Sequence, residues 1–180
     1  MSDRRKATRR VMALILVAIV ALGVVAIKDH FDEGLSPILY DRAAKSLPVV
    51  QALAREHVTF LRAGDGCQVY ADDREKRASQ LSSTCTREAG YQLFDDASRA
   101  HFAQLRAALK DLPYDVDQVT ITYGAGGTLD EAQLAIDTVN PYRLDSIIYH
   151  PGYTLPQAKP GELEFQRIDA DWYYMWEDWN

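Results

Sequence analysis

The chain closes on a stretch with chemical possibilities. Its last twelve residues hold all three tryptophans, Trp172, Trp176 and Trp179, with Tyr173, Tyr174 and the carboxylates Asp169, Asp171, Glu177 and Asp178. Glycan cleavage needs two acids of unequal pKa about 5 to 10 Å apart, and aromatic faces commonly hold the sugar. The ingredients are present. On a strand, however, successive side chains take opposite faces. Trp172, Tyr174, Trp176 and Asp178 would share one face, and Asp171, Tyr173, Met175, Glu177 and Trp179 the other. Both faces are then aromatic, as in a strand covered on both sides, with helices on one and a loop, partner or ligand on the other. Core packing with solvated acids is the simpler reading, and no catalytic residue is assigned. Trp172, Tyr174, Trp176 and Trp179 stand as the candidate ligand or partner surface, since tryptophan and tyrosine anchor such surfaces.

Other signals for chemistry are weaker. The histidines His30, His57, His101 and His150 show no metal-ligand spacing, so neither a metal nor a cofactor is expected. His57 and His101 fall on the apolar stripes of two expected helices and would meet if those helices pack together. No G-x-S-x-G supports a nucleophilic serine. Gly124, Gly126 and Gly127 follow an expected strand, but the Walker and G-x-G-x-x-G spacings are absent, and a hairpin turn explains them.

The cysteines and the amino-terminal segment speak of location. Cys67 and Cys85 are the only cysteines. An isolated pair in an oxidising compartment forms a disulfide. Residues 1–10 carry Arg4, Arg5, Lys6, Arg9 and Arg10 against Asp3; residues 11–27 are wholly apolar; Lys28 is followed by Asp29, Asp32 and Glu33. This reads as a basic cytoplasmic tail, a transmembrane anchor through the lipid bilayer, and a linker over 28–35, with the body outside the cytoplasm. A cleavable signal peptide is the competing reading. Of the chain's 20 basic and 26 acidic residues, 15 and 25 lie beyond the tail. So acidic a body repels phosphate backbones, which argues against nucleic acid as a partner.

The elements that must position these residues follow from periodicity. From Ser36 and Pro37, the residues Leu39, Ala43, Leu47, Val50, Ala54, His57 and Leu61 draw a helical stripe, which Pro48 should kink or divide near Ser46 before a stop at Gly64. Residues 73–90 carry a poorer helical pattern. A helix capped by Asp95 or Asp96 should present Ala97, His101, Leu105, Ala108 and Leu112 and stop at Pro113. Alternation then predicts strands over 117–123, 128–138, 142–150, 162–168 and the aromatic end, with 128–138 also compatible with a helix. The expected fold is α+β: an N-terminal transmembrane helix, then two to three helices on an antiparallel four- to five-stranded sheet, within a domain over 36–180.

The function this favours is a single-pass, membrane-anchored, extracytoplasmic domain with a non-catalytic binding or assembly role and a protein partner. A glycan-binding or glycan-cleaving envelope protein using the closing aromatic and acidic cluster is the second reading. A pilus-like assembly subunit is the third, although no glycine followed by Phe-Thr-Leu and glutamate opens the apolar run.

Overall fold

The structure, a computed structural model, describes residues 37–64, 66–136 and 142–179. The apolar segment 11–27, the tail, the linker and His30 lie outside these residues. Among the described residues no helix is long and apolar enough to cross a membrane.

The first helix, α1, occupies residues 37–55. It buries Leu39, Ala43, Ser46, Val49, Val50 and Leu53, steps of three and four that make one face. It runs through Pro48 without a break. Each such buried apolar side chain contributes about 1.5–3 kcal/mol, comparable to what an interior proline costs. Beyond residue 55 the helical reading fails. His57 takes a left-handed φ of 56°. Its N–H donates to the Ala54 carbonyl at 3.0 Å, and the Val58 N–H to that of Leu53 at 3.2 Å. This pair of bonds closes a helix and turns the chain away. Leu61 therefore belongs to strand β1, Phe60–Arg62.

Two more short strands follow, β2 Val69–Ala71 and β3 Lys76–Ala78. The expected helical stretch over 73–90 is thus corrected to β3 and a looped segment, which leads to β4, Gln92–Leu93. Helix α2 spans Asp96–Leu109, and Asp95 caps it by accepting from the Ser98 N–H while the Ser98 hydroxyl takes the Asp95 N–H. Its buried residues are Ser98, Phe102 and Leu105. The inward face is rotated from the expected one, with Phe102 inside and His101 at the margin.

The carboxyl-terminal strands agree closely with the alternation: β5 Val116–Tyr123, β6 Leu129–Ile136, β7 Arg143–Tyr149, β8 Leu163–Arg167 and β9 Trp172–Asp178. Gly126 and Gly127 hold φ of 79° and 75° in the tight β5–β6 link, a conformation that glycine adopts without strain.

All nine strands form one sheet, in the order β4-β3-β2-β1-β5-β6-β7-β9-β8. Every pairing is antiparallel except β3 with β4. The expected sheet of four or five antiparallel strands is therefore corrected to a mixed sheet of nine, carrying two helices. The end is also not a simple meander, because β9 lies between β7 and β8. One face of the sheet packs Leu61, Tyr70, Val119, Ile121, Leu134, Ile147 and Trp172 against Leu39, Val50 and Leu53 of α1 and Phe102 and Leu105 of α2. Among the described residues the opposite, second face has no helix. It carries two small clusters instead, one around Cys67, Val69, Ala78 and Cys85 and one around Ile148, Tyr153 and Tyr173.

Candidate functional site

The closing aromatics do not form one open platform. Trp172 is buried in the helix-side core, its ring 5.1 Å from that of Tyr149. Tyr174 accepts a hydrogen bond from Arg143 Nη2 at 3.1 Å, and the Arg143 guanidinium lies 5.0 Å above Trp176. Trp179 is exposed. Tyr173 is packed on the second face against Tyr153, with ring centres 4.7 Å apart. The cover on that face is a loop, since Tyr153 and Leu155 both belong to the β7–β8 connection. The Tyr153 hydroxyl donates to the Trp172 carbonyl at 2.9 Å. Two of the acids hold turns: Asp169 Oδ1 accepts from the Asp171 and Trp172 N–H groups at 2.8 and 2.9 Å, and Asp171 Oδ1 from Gly152 at 3.4 Å.

The histidines are likewise apart. His57 sits at the exposed end of α1, 3.9 Å from Asp73. His101 Nε2 is 3.9 Å from Asp72, and His150 Nδ1 is 3.2 Å from Glu131. Among the described residues no three metal-capable side chains gather. A charged network nearby joins the β2–β3 turn to α2. The Tyr70 hydroxyl donates to Glu75, Arg77 Nε to Glu75 at 2.7 Å, and Arg77 reaches Asp95 at 3.4 Å. The Tyr70 and Arg77 hydrogen bonds hold the Glu75 carboxyl below its usual range, while burial, foremost, pushes the Tyr70 hydroxyl well above its own. This network fastens helix to sheet.

The site the fold builds on the second face lies elsewhere. The 79–91 connection between β3 and β4 crosses that face as a flap. The Cys67–Cys85 disulfide, with Cα atoms 5.3 Å apart, ties its middle to the segment before β2. The Ser79 N–H donates to the Gln68 carbonyl at 2.8 Å, and the Phe94 N–H to that of Ala78 at 3.0 Å, anchoring both ends. Beside the flap lies a cleft of about 290 Å³, lined by Thr59, Phe60, Arg62, Ala71, Lys76, Cys85, Arg87, Glu88, Tyr91, Gln118 and Thr120. Alternation explains its floor. Val119 and Ile121 point to the helices, so Gln118 and Thr120 point away. The register sets Arg62 beside Gln118 and Phe60 beside Thr120. Beyond them Gln133 donates to the Ser146 hydroxyl at 3.0 Å, continuing a polar strip towards the Tyr153 loop.

The electrostatics of the cleft are uneven. Lys76 Nζ is 2.7 Å from Glu88, and their hydrogen bond raises the lysine pKa and lowers that of the acid. Burial raises the Tyr91 hydroxyl, and Lys76 lies 5.7 Å over its ring. Arg62 Nε is 3.5 Å from Asp117 Oδ2 but makes no hydrogen bond although buried. A larger cavity, about 450 Å³, opens at the end of α2 beside Arg106, Lys110, Asp115 and Asp117. It is lined by as many acids as cations, and no cross-link fixes its wall, so the cleft beside the flap is the better-built site.

Sequence reasoning paired the cysteines but did not single out Arg62, Lys76, Arg87 or Tyr91. Only the polar phase of Gln118 and Thr120 was visible in it. No protein-family model matches the sequence, no curated protein is similar to it, and no solved structure matches its fold.

Proposed function

We propose that the protein is a membrane-tethered, non-catalytic binding domain whose body lies outside the cytoplasm and whose binding site is the cleft beside the disulfide-held flap. The observation that carries this reading is the Cys67–Cys85 disulfide at that place. It covalently fixes one wall of a well-lined cleft on the face that no described helix covers. A disulfide persists where the compartment is oxidising. The apolar run 11–27 behind five basic side chains supports a bilayer anchor with the amino terminus inside. The partner is a molecule, or a segment of a protein, that enters the cleft.

Location is tested on intact cells expressing the full chain. After reduction with an impermeant phosphine, an impermeant maleimide should label Cys67 and Cys85. Labelling that requires permeabilised cells overturns the extracytoplasmic placement. The site is tested by Thr120→Trp, which fills the cleft floor and should abolish partner binding while the unfolding transition is kept.

A further inference from the structure

Charge narrows what the cleft takes. Three cations reach it from three separate segments: Arg62 from β1, Lys76 from β3 and Arg87 from the flap. Glu88 is the one acid in its lining, and it is already bonded to Lys76 at 2.7 Å. Asp117 stands behind Arg62 as an ion pair at 3.5 Å, without a hydrogen bond to the buried Nε. The Arg62 Nη1 reaches only the Thr84 carbonyl, at a long 3.4 Å. Arg87 is exposed and has no acceptor among the described residues. The lining thus carries three cations against one acid, with Asp117 ion-paired to Arg62 behind it, while residues 11–180 carry 15 basic and 25 acidic side chains. The buried Arg62 Nε without a hydrogen bond and the exposed Arg87 without a carboxylate among the described residues leave donors at one cleft that an anion from outside can meet. Guanidinium groups suit this task because their planar donors match carboxylate and phosphate oxygens. Thr120 and Gln118 add a hydroxyl and an amide on the floor, and Tyr91 an aromatic wall.

We propose that the cleft binds an oxyanion-bearing polar ligand. Its carboxylate or phosphate group is held by Arg62 and Arg87, and its polar frame rests on Thr120 and Tyr91. This rests on the cleft being the binding site, and it adds the charge class of the ligand. Carboxylate and phosphate share the recognition chemistry, so both are probed.

The test uses the full chain in nanodiscs at low salt, titrated calorimetrically with inorganic phosphate, with glucuronate, and with glucose as the neutral counterpart of glucuronate. At least one of the two anions should bind in the millimolar range or tighter, and glucose should not. Whichever anion binds identifies the source of the oxyanion. Arg87→Gln, on an exposed flap position, should weaken that binding by about tenfold, and added salt should weaken it further. Arg99→Gln, an exposed change on α2, should leave it unchanged. Glucose binding as well as glucuronate with Arg87→Gln neutral overturns the charge class but leaves the cleft as the site. Failure of both anions at millimolar concentration overturns the proposal, and binding lost equally in Arg99→Gln shows a general charge effect and overturns it too.

Discussion

Replacing both Cys67 and Cys85 by alanine isolates what the disulfide contributes. Both side chains are buried, 8% and 5% exposed, in a small satellite cluster. Alanine keeps most of that packing, so the main loss is the cross-link. The bridge closes a loop with a sequence separation of 18, and the chain-entropy relation then gives about 3 kcal/mol. The loop contains β2 and β3 entire, and Val69, Tyr70 and Ala78 within it are fully buried. Opening it is therefore part of global unfolding. With a urea slope of about 2 kcal/mol per molar for a domain of this size, the midpoint should fall by about 1.5 M. The assay is urea unfolding of the full chain in mild detergent, read by tryptophan emission. All three tryptophans lie at the β9 end of the sheet, far in strand order from the bridge, so they report the whole domain. A reductant should give the same shift in the native protein. A midpoint that moves by less than about 0.5 M refutes the reasoning. The bridge would then pin the flap alone, and the flap would open without the sheet.

Other substitutions separate core from surface. Trp172→Ala should cost about 3–5 kcal/mol, because the ring is 4% exposed; Trp179→Ala, at 57% exposed, should stay within about 0.5 kcal/mol, and equal costs in denaturant titrations would show the burial to be wrong. Burial, first, holds the Tyr173 hydroxyl up to about 12, against about 10 in an unfolded chain. Its folded pKa is raised, so the associated stability is complete below pH 10 and lost as pH climbs to 12. Tyr173→Phe should flatten the alkaline loss measured by unfolding midpoints, and a loss parallel to the native protein's would count against it. At Gly64 an added Cβ would lie 1.9 Å from Asp117 Oδ1, the far end of a flexible side chain, so Gly64→Ala should displace Asp117 from Arg62 at a cost within about 0.5 kcal/mol; a melting transition lowered as by a core substitution would contradict that easy displacement.

The five long strands and α2 were legible because each carries its own period. Val119, Ile121, Leu134, Ile147 and Trp172 alternate cleanly, and Asp95 sits where a cap belongs. The short strands were not. Phe60–Arg62, Val69–Ala71 and Lys76–Ala78 have three residues each, too few to show alternation, and Leu61 continues the helical stripe of α1 by coincidence of spacing. The boundary was set by the turn at His57, where a non-glycine residue takes a left-handed conformation that composition does not announce. The cleft was hidden for the same reason. Arg62 and Lys76 lie on those short strands, and Arg87 and Tyr91 on a segment whose serines and threonines resembled a poor helix. The cysteine pair was the one trace of it, legible because two thiols outside a C-x-x-C motif have few other uses.

The dimensions of the fold say why function should be sought on the second face. Nine strands about 4.8 Å apart make a sheet roughly 40 Å wide. Two helices about 10 Å across cover roughly half of one side of it. The other side must be made compatible with water by composition or covered by loops, and the chain does both. At the β9 end the Tyr153 loop seals Tyr173 and Ile148, which puts the aromatic alternation of the closing strand to structural use. At the β3 end the flap seals Val69 and Ala78. Between them Gln118, Thr120, Gln133 and Ser146 leave a polar strip. A polar strip alone is what any half-solvated sheet would show. The flap differs in that the chain holds it with a covalent bond and turns arginines without full partners towards the strip's edge. Stability alone explains the bond, since it closes a loop around β2 and β3. It does not explain why the buried Arg62 Nε, although ion-paired with Asp117, is left without a hydrogen bond beside the exposed Arg87. Those unused donors are the feature that supports the proposed binding cleft over a mere seam in the fold.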